Sequence, residues 1–135
     1  MSKSANFSLI KRFAKETLGC ACPDEVFEQI ECEEGYILDT KLPMCSRVLI
    51  GNRLLVYLWE VADAEDLGKY LALILTCGKK ERDDRGYNRF RLVVSTRQPE
   101  ELRGTAQRIF KPLAANDEKL HLHVVSREEI PQLMA

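Results

Sequence analysis

A chain of 135 residues, 45% hydrophobic and 30% charged, has the size and make-up of one globular core. Twenty Lys and Arg against 21 Asp and Glu leave a net charge of −1, so no bulk field draws it to nucleic acid or anionic lipid. The longest purely apolar runs, residues 54–59 and 70–75, fall far short of the ~20 residues that span a bilayer.

Residues 1–19 carry Lys3, Lys11, Arg12, Lys15 and Glu16 without an apolar stretch, so no secretory leader is read there. Five cysteines are an odd count. Together these lead to the expectation of a cytoplasmic protein with reduced thiols and no disulfide framework.

Residues 1–6 are polar and read as disordered, and residues 7–30 as helical. Phe7, Ile10, Phe13, Ala14, Thr17 and Leu18 keep helical spacing up to Gly19. A second short helix begins after Cys22, where Pro23 suits a first turn and Asp24 and Glu25 suit the dipole. Residues 31–45 are strand or loop, with Tyr36, Ile37 and Leu38 the most extended stretch. A hairpin is predicted over 46–61, turned by Gly51-Asn52. Its second arm is apolar on both faces and so belongs to the sheet interior.

Asp63 caps a helix whose apolar stripe (Leu67, Tyr70, Leu71, Ile74, Cys77) is widened by Leu73 and Leu75. A helix apolar around most of its circumference is buried by another element or by a second subunit. It is predicted to end near Gly78, with residues 78–88 forming a charged, mobile loop. Residues 89–96 form a strand, Pro99 opens a helix that Pro112 should end or kink, and residues 120–126 form the last strand. Residues 53–126 therefore constitute a βαβαβ unit with parallel strands and both helices on one face. The fold class is α/β, with α+β as the alternative: one domain over 1–135 with a mixed sheet of four or five strands. The N-terminal helices are available to cover part of its other side.

Candidate sites follow from this frame. Cys20 and Cys22 precede a helix start, where exposed amides favour a thiolate for nucleophilic, redox or metal chemistry. Against this, Asp24 and Glu25 favour the protonated thiol, the one-residue spacing is not that of the common zinc and redox motifs, and small apolar filling explains the same residues.

The second candidate is a sheet face. Alternation assigns Arg53, Tyr57 and Trp59 of one strand, Arg89 and Arg91 of the next, and His121 and His123 of the last to one surface away from the helices. Guanidinium, imidazole and aromatic groups suit a small anion or an unstacked base. A solvated strand face has the same pattern. His121 and His123 could both reach one metal ion, but two ligands do not make a site, and no metal or other cofactor is expected. The third candidate is the carboxyl end of the parallel strands, near Ser95, Thr96, Arg97 and Ser126, where ordinary helix capping is the simpler account.

No glycine-rich phosphate loop, G-x-S-x-G or H-E-x-x-H occurs, so catalytic residues stay unknown. The leading expectation is a non-catalytic binding or interaction domain that self-associates through the wide apolar helix, without nucleic acid or membrane as partner. The alternatives are a thiol-centred protein and a binder of a small anion or nucleotide base.

Overall fold

The computed structural model describes residues 6–20 and 23–132. The disorder expected over 1–6 therefore lies almost wholly outside the described residues, as does Cys22. A short helix α1 (Phe7–Arg12) runs into a wider π-helical turn, Phe13–Thr17, and a 3₁₀ turn follows at Asp24–Glu28. Strands β1 (Ile30–Tyr36), β2 (Cys45–Ile50) and β3 (Leu54–Glu60) form an antiparallel meander. Helix α2 (Ala64–Arg85), β4 (Arg89–Thr96), α3 (Pro99–Ala114) and β5 (Leu120–Ser126) complete the chain. The five-stranded mixed sheet has the order β1-β2-β3-β4-β5, with β3, β4 and β5 parallel. The α/β class and the βαβαβ unit are as expected. Among the described residues no helix is long and apolar enough to cross a membrane.

Both sheet faces are covered. On one, Leu55, Tyr57, Trp59, Phe90, Leu92, Leu122 and Val124 pack with Leu67, Leu71, Ile74 and Leu75 of α2 and with Leu102 and Ala106 of α3. On the other, Ile10, Phe13, Ala14 and Leu18 lie over Val48, Val56, Leu58, Val93 and Val125. The wide stripe on α2 is thus largely met within the monomer, by the sheet on one side and α3 on another. Of its residues Leu73 is left outside, 53% exposed.

Several expected boundaries move, each for a local reason. The extended stretch of the first strand lies earlier than Tyr36–Leu38, at Ile30–Tyr36. This is an edge strand whose glutamates face water, so hydropathy marked it weakly. The turn after β2 is the predicted one, with Gly51 (φ 60°) and Asn52 (φ 54°) both left-handed. Arg53, however, stands outside the β2–β3 register, and the strand begins at Leu54.

The mobile loop expected over 78–88 is instead the last two turns of α2 and its cap. Gly78 is no terminator: a Cβ there would lie 2.1 Å from Cζ of Phe90, so glycine permits the helix to press on β4. Lys80 and Asp84 pair one turn apart at 2.6 Å, and the helix ends where Gly86 takes φ 73°. Pro112 does not end α3, which runs on to Ala114; in the last turn only one amide donor is lost.

Buried ion pairs fasten α2 to the rest. Arg47 of β2 and the hydroxyl of Tyr57 both donate to Glu81. Arg82 donates to both oxygens of Asp117, at 2.9 and 2.6 Å, fixing the turn before β5.

Candidate functional site

The parallel register decides which side chains share a face. Leu54 lies beside Arg89, Val56 beside Arg91, and Leu58 beside Val93. Across the next pair, Arg91 lies beside His121 and Val93 beside His123. Residues side by side point the same way, so Arg89, Arg91, His121 and His123 do lie together, with the even residues of β3. Tyr57 and Trp59 lie on the opposite face, which corrects the grouping drawn from alternation. Because β3 is apolar on both faces, hydropathy carried no signal of its parity. Tyr57 packs edge-on against Phe90 at 4.8 Å, and Trp59, 2% exposed, packs against Tyr70 at 6.4 Å.

What remains of the predicted face is a cavity of about 240 Å³ at the amino ends of β3 and β4. It is lined by the polar residues Arg53, Asn88, Arg89 and Arg91, by the apolar residues Pro23, Val26, Ile50 and Leu54, and by Cys20. The turn at Gly51-Asn52 delivers Arg53. The ends of α2 and β5 deliver the other two arginines by fixing β4 between them.

Two of these arginines are oriented by histidine. Nη1 of Arg89 lies 2.9 Å from Nε2 of His121 and donates to the Glu118 carbonyl at 3.3 Å. Nη1 of Arg91 lies 3.0 Å from Nε2 of His123 and donates to the Leu18 carbonyl at 3.0 Å. A guanidinium can only donate, so both Nε2 atoms accept and the proton of each neutral ring sits on Nδ1. Burial, then Arg91 and Arg89, lowers His121 to about 4. Burial, then Arg91 and His121, lowers His123 to about 4. At neutral pH both are uncharged acceptors. The same geometry speaks against a metal on this pair, since a cation there would replace a hydrogen bond and face two guanidinium charges.

Among the described residues the arginines of the cavity have no carboxylate partner. Arg47, Arg82 and Arg127, all at least partly withdrawn from water, each pair with a carboxylate. Arg89 and Arg91, similarly withdrawn, and the exposed Arg53 form no ion pair among the described residues. Nε of Arg91 is buried without an acceptor. Burial first, and then Arg89, pushes the Arg91 guanidinium below its ordinary value. Holding such a charge without a partner is costly, and an anion in the cavity would relieve that cost.

The thiol candidate fares differently. Cys20 is disulfide-bonded, contrary to the expectation of reduced thiols, and so offers no free nucleophile in this state. The helix expected to activate it is a five-residue 3₁₀ turn. Cys32, Cys45 and Cys77 are free. Burial raises Cys45 to about 12 and Cys32 to about 11, the latter helped by Glu34 and Glu33. Neither has thiolate character at neutral pH.

At the carboxyl ends of the parallel strands a cleft is lined by Val61, Ala62, Arg97, Gln98 and Arg127. Arg127 there lies 2.6 Å from Glu60, so its charge is already answered. Sequence reasoning thus found the arginines and histidines but missed the apolar wall, because Pro23 and Val26 reach the cavity through an irregular segment without periodicity. Compared with protein families, curated proteins and solved structures, the chain matches none.

Proposed function

We propose that this is a non-catalytic binding domain whose ligand is a small anion held by Arg53, Arg89 and Arg91. One observation carries the reading: Arg89 and Arg91, both partly withdrawn from water and lining one cavity with the exposed Arg53, lack a carboxylate among the described residues, while the other arginines withdrawn from water have one. Guanidinium donors in a sheltered cavity bind oxyanions through charge-assisted hydrogen bonds. Among the described residues Nη1 is the nitrogen of Arg91 that meets protein acceptors, which leaves Nη2 for a ligand.

The residues around the cavity suit binding rather than reaction. The imidazoles are the groups best suited to move a proton, yet their Nε2 atoms are engaged and their low pKa values keep them neutral. Base stacking loses its support, because no aromatic side chain is among the residues lining the cavity.

The test is a titration with inorganic phosphate followed by NMR of the arginine and histidine side chains. Saturable shifts at Arg89, Arg91, His121 and His123 are expected, weakened about tenfold or more by Arg53→Ala or Arg89→Gln, equivalent to roughly 1.4 kcal/mol. Shifts that grow linearly with phosphate, or that are unchanged in both variants, would overturn the assignment.

A further inference from the structure

We infer that the anion is amphiphilic, a phosphate monoester carrying a compact apolar group, with the phosphoryl head on the arginines and the apolar group on Pro23, Val26, Ile50 and Leu54. The inference rests on the anion reading above and adds the class of ligand. Three arginines without an ion-pair partner among the described residues suit a dianionic head better than a single negative charge.

The lining of the cavity is also mixed, four polar and four apolar residues beside Cys20. A free oxyanion needs only the polar wall, and about 240 Å³ of space is far more than an ordered water requires. It lies near the lower edge of small-molecule cavities, about 300–1,000 Å³, which limits the apolar group to a few carbons or one ring. Ile50 and Leu54 are almost wholly buried and form a fixed part of the wall.

Val26 is equally constrained. Its amide donates to the Pro23 carbonyl at 3.2 Å, and its Cβ sits where a Cβ on Gly51 would be only 2.7 Å away. The amide of Gly51 donates to the Gln29 carbonyl at 2.7 Å, so the 3₁₀ segment and the hairpin turn are locked together. An apolar wall fixed before the ligand arrives gives affinity without an ordering cost.

Calorimetric titrations of the intact protein with inorganic phosphate, phenyl phosphate and phenol separate the claims. Phenyl phosphate is expected to bind at least tenfold tighter than phosphate, and phenol to bind far more weakly than either. Val26→Ala is expected to weaken phenyl phosphate about fivefold while leaving inorganic phosphate unchanged. The unmodified protein alone decides the outcome should that variant fold poorly. If phenyl phosphate and inorganic phosphate bind equally, the amphiphilic ligand is refuted and the anion site stands. If neither binds, the anion site itself falls. If phenol binds as tightly as phenyl phosphate, the charged head is irrelevant and both readings fail.

Discussion

Each side chain around the cavity has a distinct physical task, and the tasks predict different phenotypes. The side chain of Arg53 is exposed and makes no hydrogen bond or ion pair among the described residues, so Arg53→Ala should shift stability by no more than about 0.5 kcal/mol. Arg91 ties the Leu18 carbonyl and His123 to the sheet. Its removal strands two acceptors, and Arg91→Ala should cost about 1–3 kcal/mol in urea denaturation. Equal stabilities of the two variants would contradict these assignments. The histidines add a pH dependence. In the unfolded chain they titrate near 6.5, in the native state near 4. Unfolding therefore takes up protons between these values, so stability is complete above about pH 6.5 and falls as the pH drops towards 4. The loss is larger for His123, the more deeply buried of the two. Asp24 and Asp117 are lowered from 3.8, so their contributions disappear below this window. His123→Gln keeps a neutral acceptor for Arg91, and its denaturation midpoint should change less between pH 7 and pH 4.5, with His121 supplying the dependence that remains. A slope as steep as that of the unmodified protein would disprove the linkage.

At the scale of elements, α2 shows why one signal can be read in two ways. Gly78 followed by a run of mixed charges resembles a helix end and a loop, yet the helix continues to Arg85. The missing information was tertiary: Gly78 faces the ring of Phe90, and Glu81 and Arg82 are withdrawn from water by Arg47, Tyr57 and Asp117. Gly78→Ala inverts the usual rule. In an exposed helix interior alanine would gain about 1 kcal/mol; here its methyl overlaps the Phe90 ring, and a loss of at least about 2 kcal/mol is expected from thermal denaturation. A gain would mean that α2 does not press on β4. Strand and helix order from β2 onward was legible because local periodicity and turn chemistry agree there. The parity of β3 was not, since Leu54 to Trp59 are apolar on both sides and a crossover carries no memory of which side faces inward. That one offset removed Tyr57 and Trp59 from the candidate site while leaving the arginines and histidines together.

Across the whole molecule, the cavity stands where three parts of the chain meet: the N-terminal segment, the β2–β3 turn and the start of β4. The N-terminal segment is the part of this junction that lies outside the sheet's hydrogen-bonded ladder, so it is expected to open most readily. Its helical stretch is two turns of α-helix followed by a π-helical turn, too short to persist alone. It is held to the sheet by the apolar contacts of Ile10, Phe13, Ala14 and Leu18 and by the bond from Arg91 to the Leu18 carbonyl. Local opening of this segment would remove Cys20 from the cavity wall and free the Leu18 carbonyl from Arg91, while Val26 stays against the hairpin turn and the arginines stay on the sheet. A ligand that touches both parts binds only the docked form, so its binding free energy must appear as stabilisation of docking. Hydrogen exchange supplies the measurement. Without ligand, amides of Ile10 to Leu18 should exchange faster than those of β3 and β4; with phenyl phosphate at 100 times its Kd they should slow by about 100-fold, equivalent to roughly 2.7 kcal/mol. Phe13→Ala loosens docking and should speed ligand-free exchange of this segment, while the ligand-dependent slowing at the same ratio of free ligand to Kd stays about the same. Saturating ligand that leaves exchange of this segment unaltered would show that the N-terminal wall takes no part in the site.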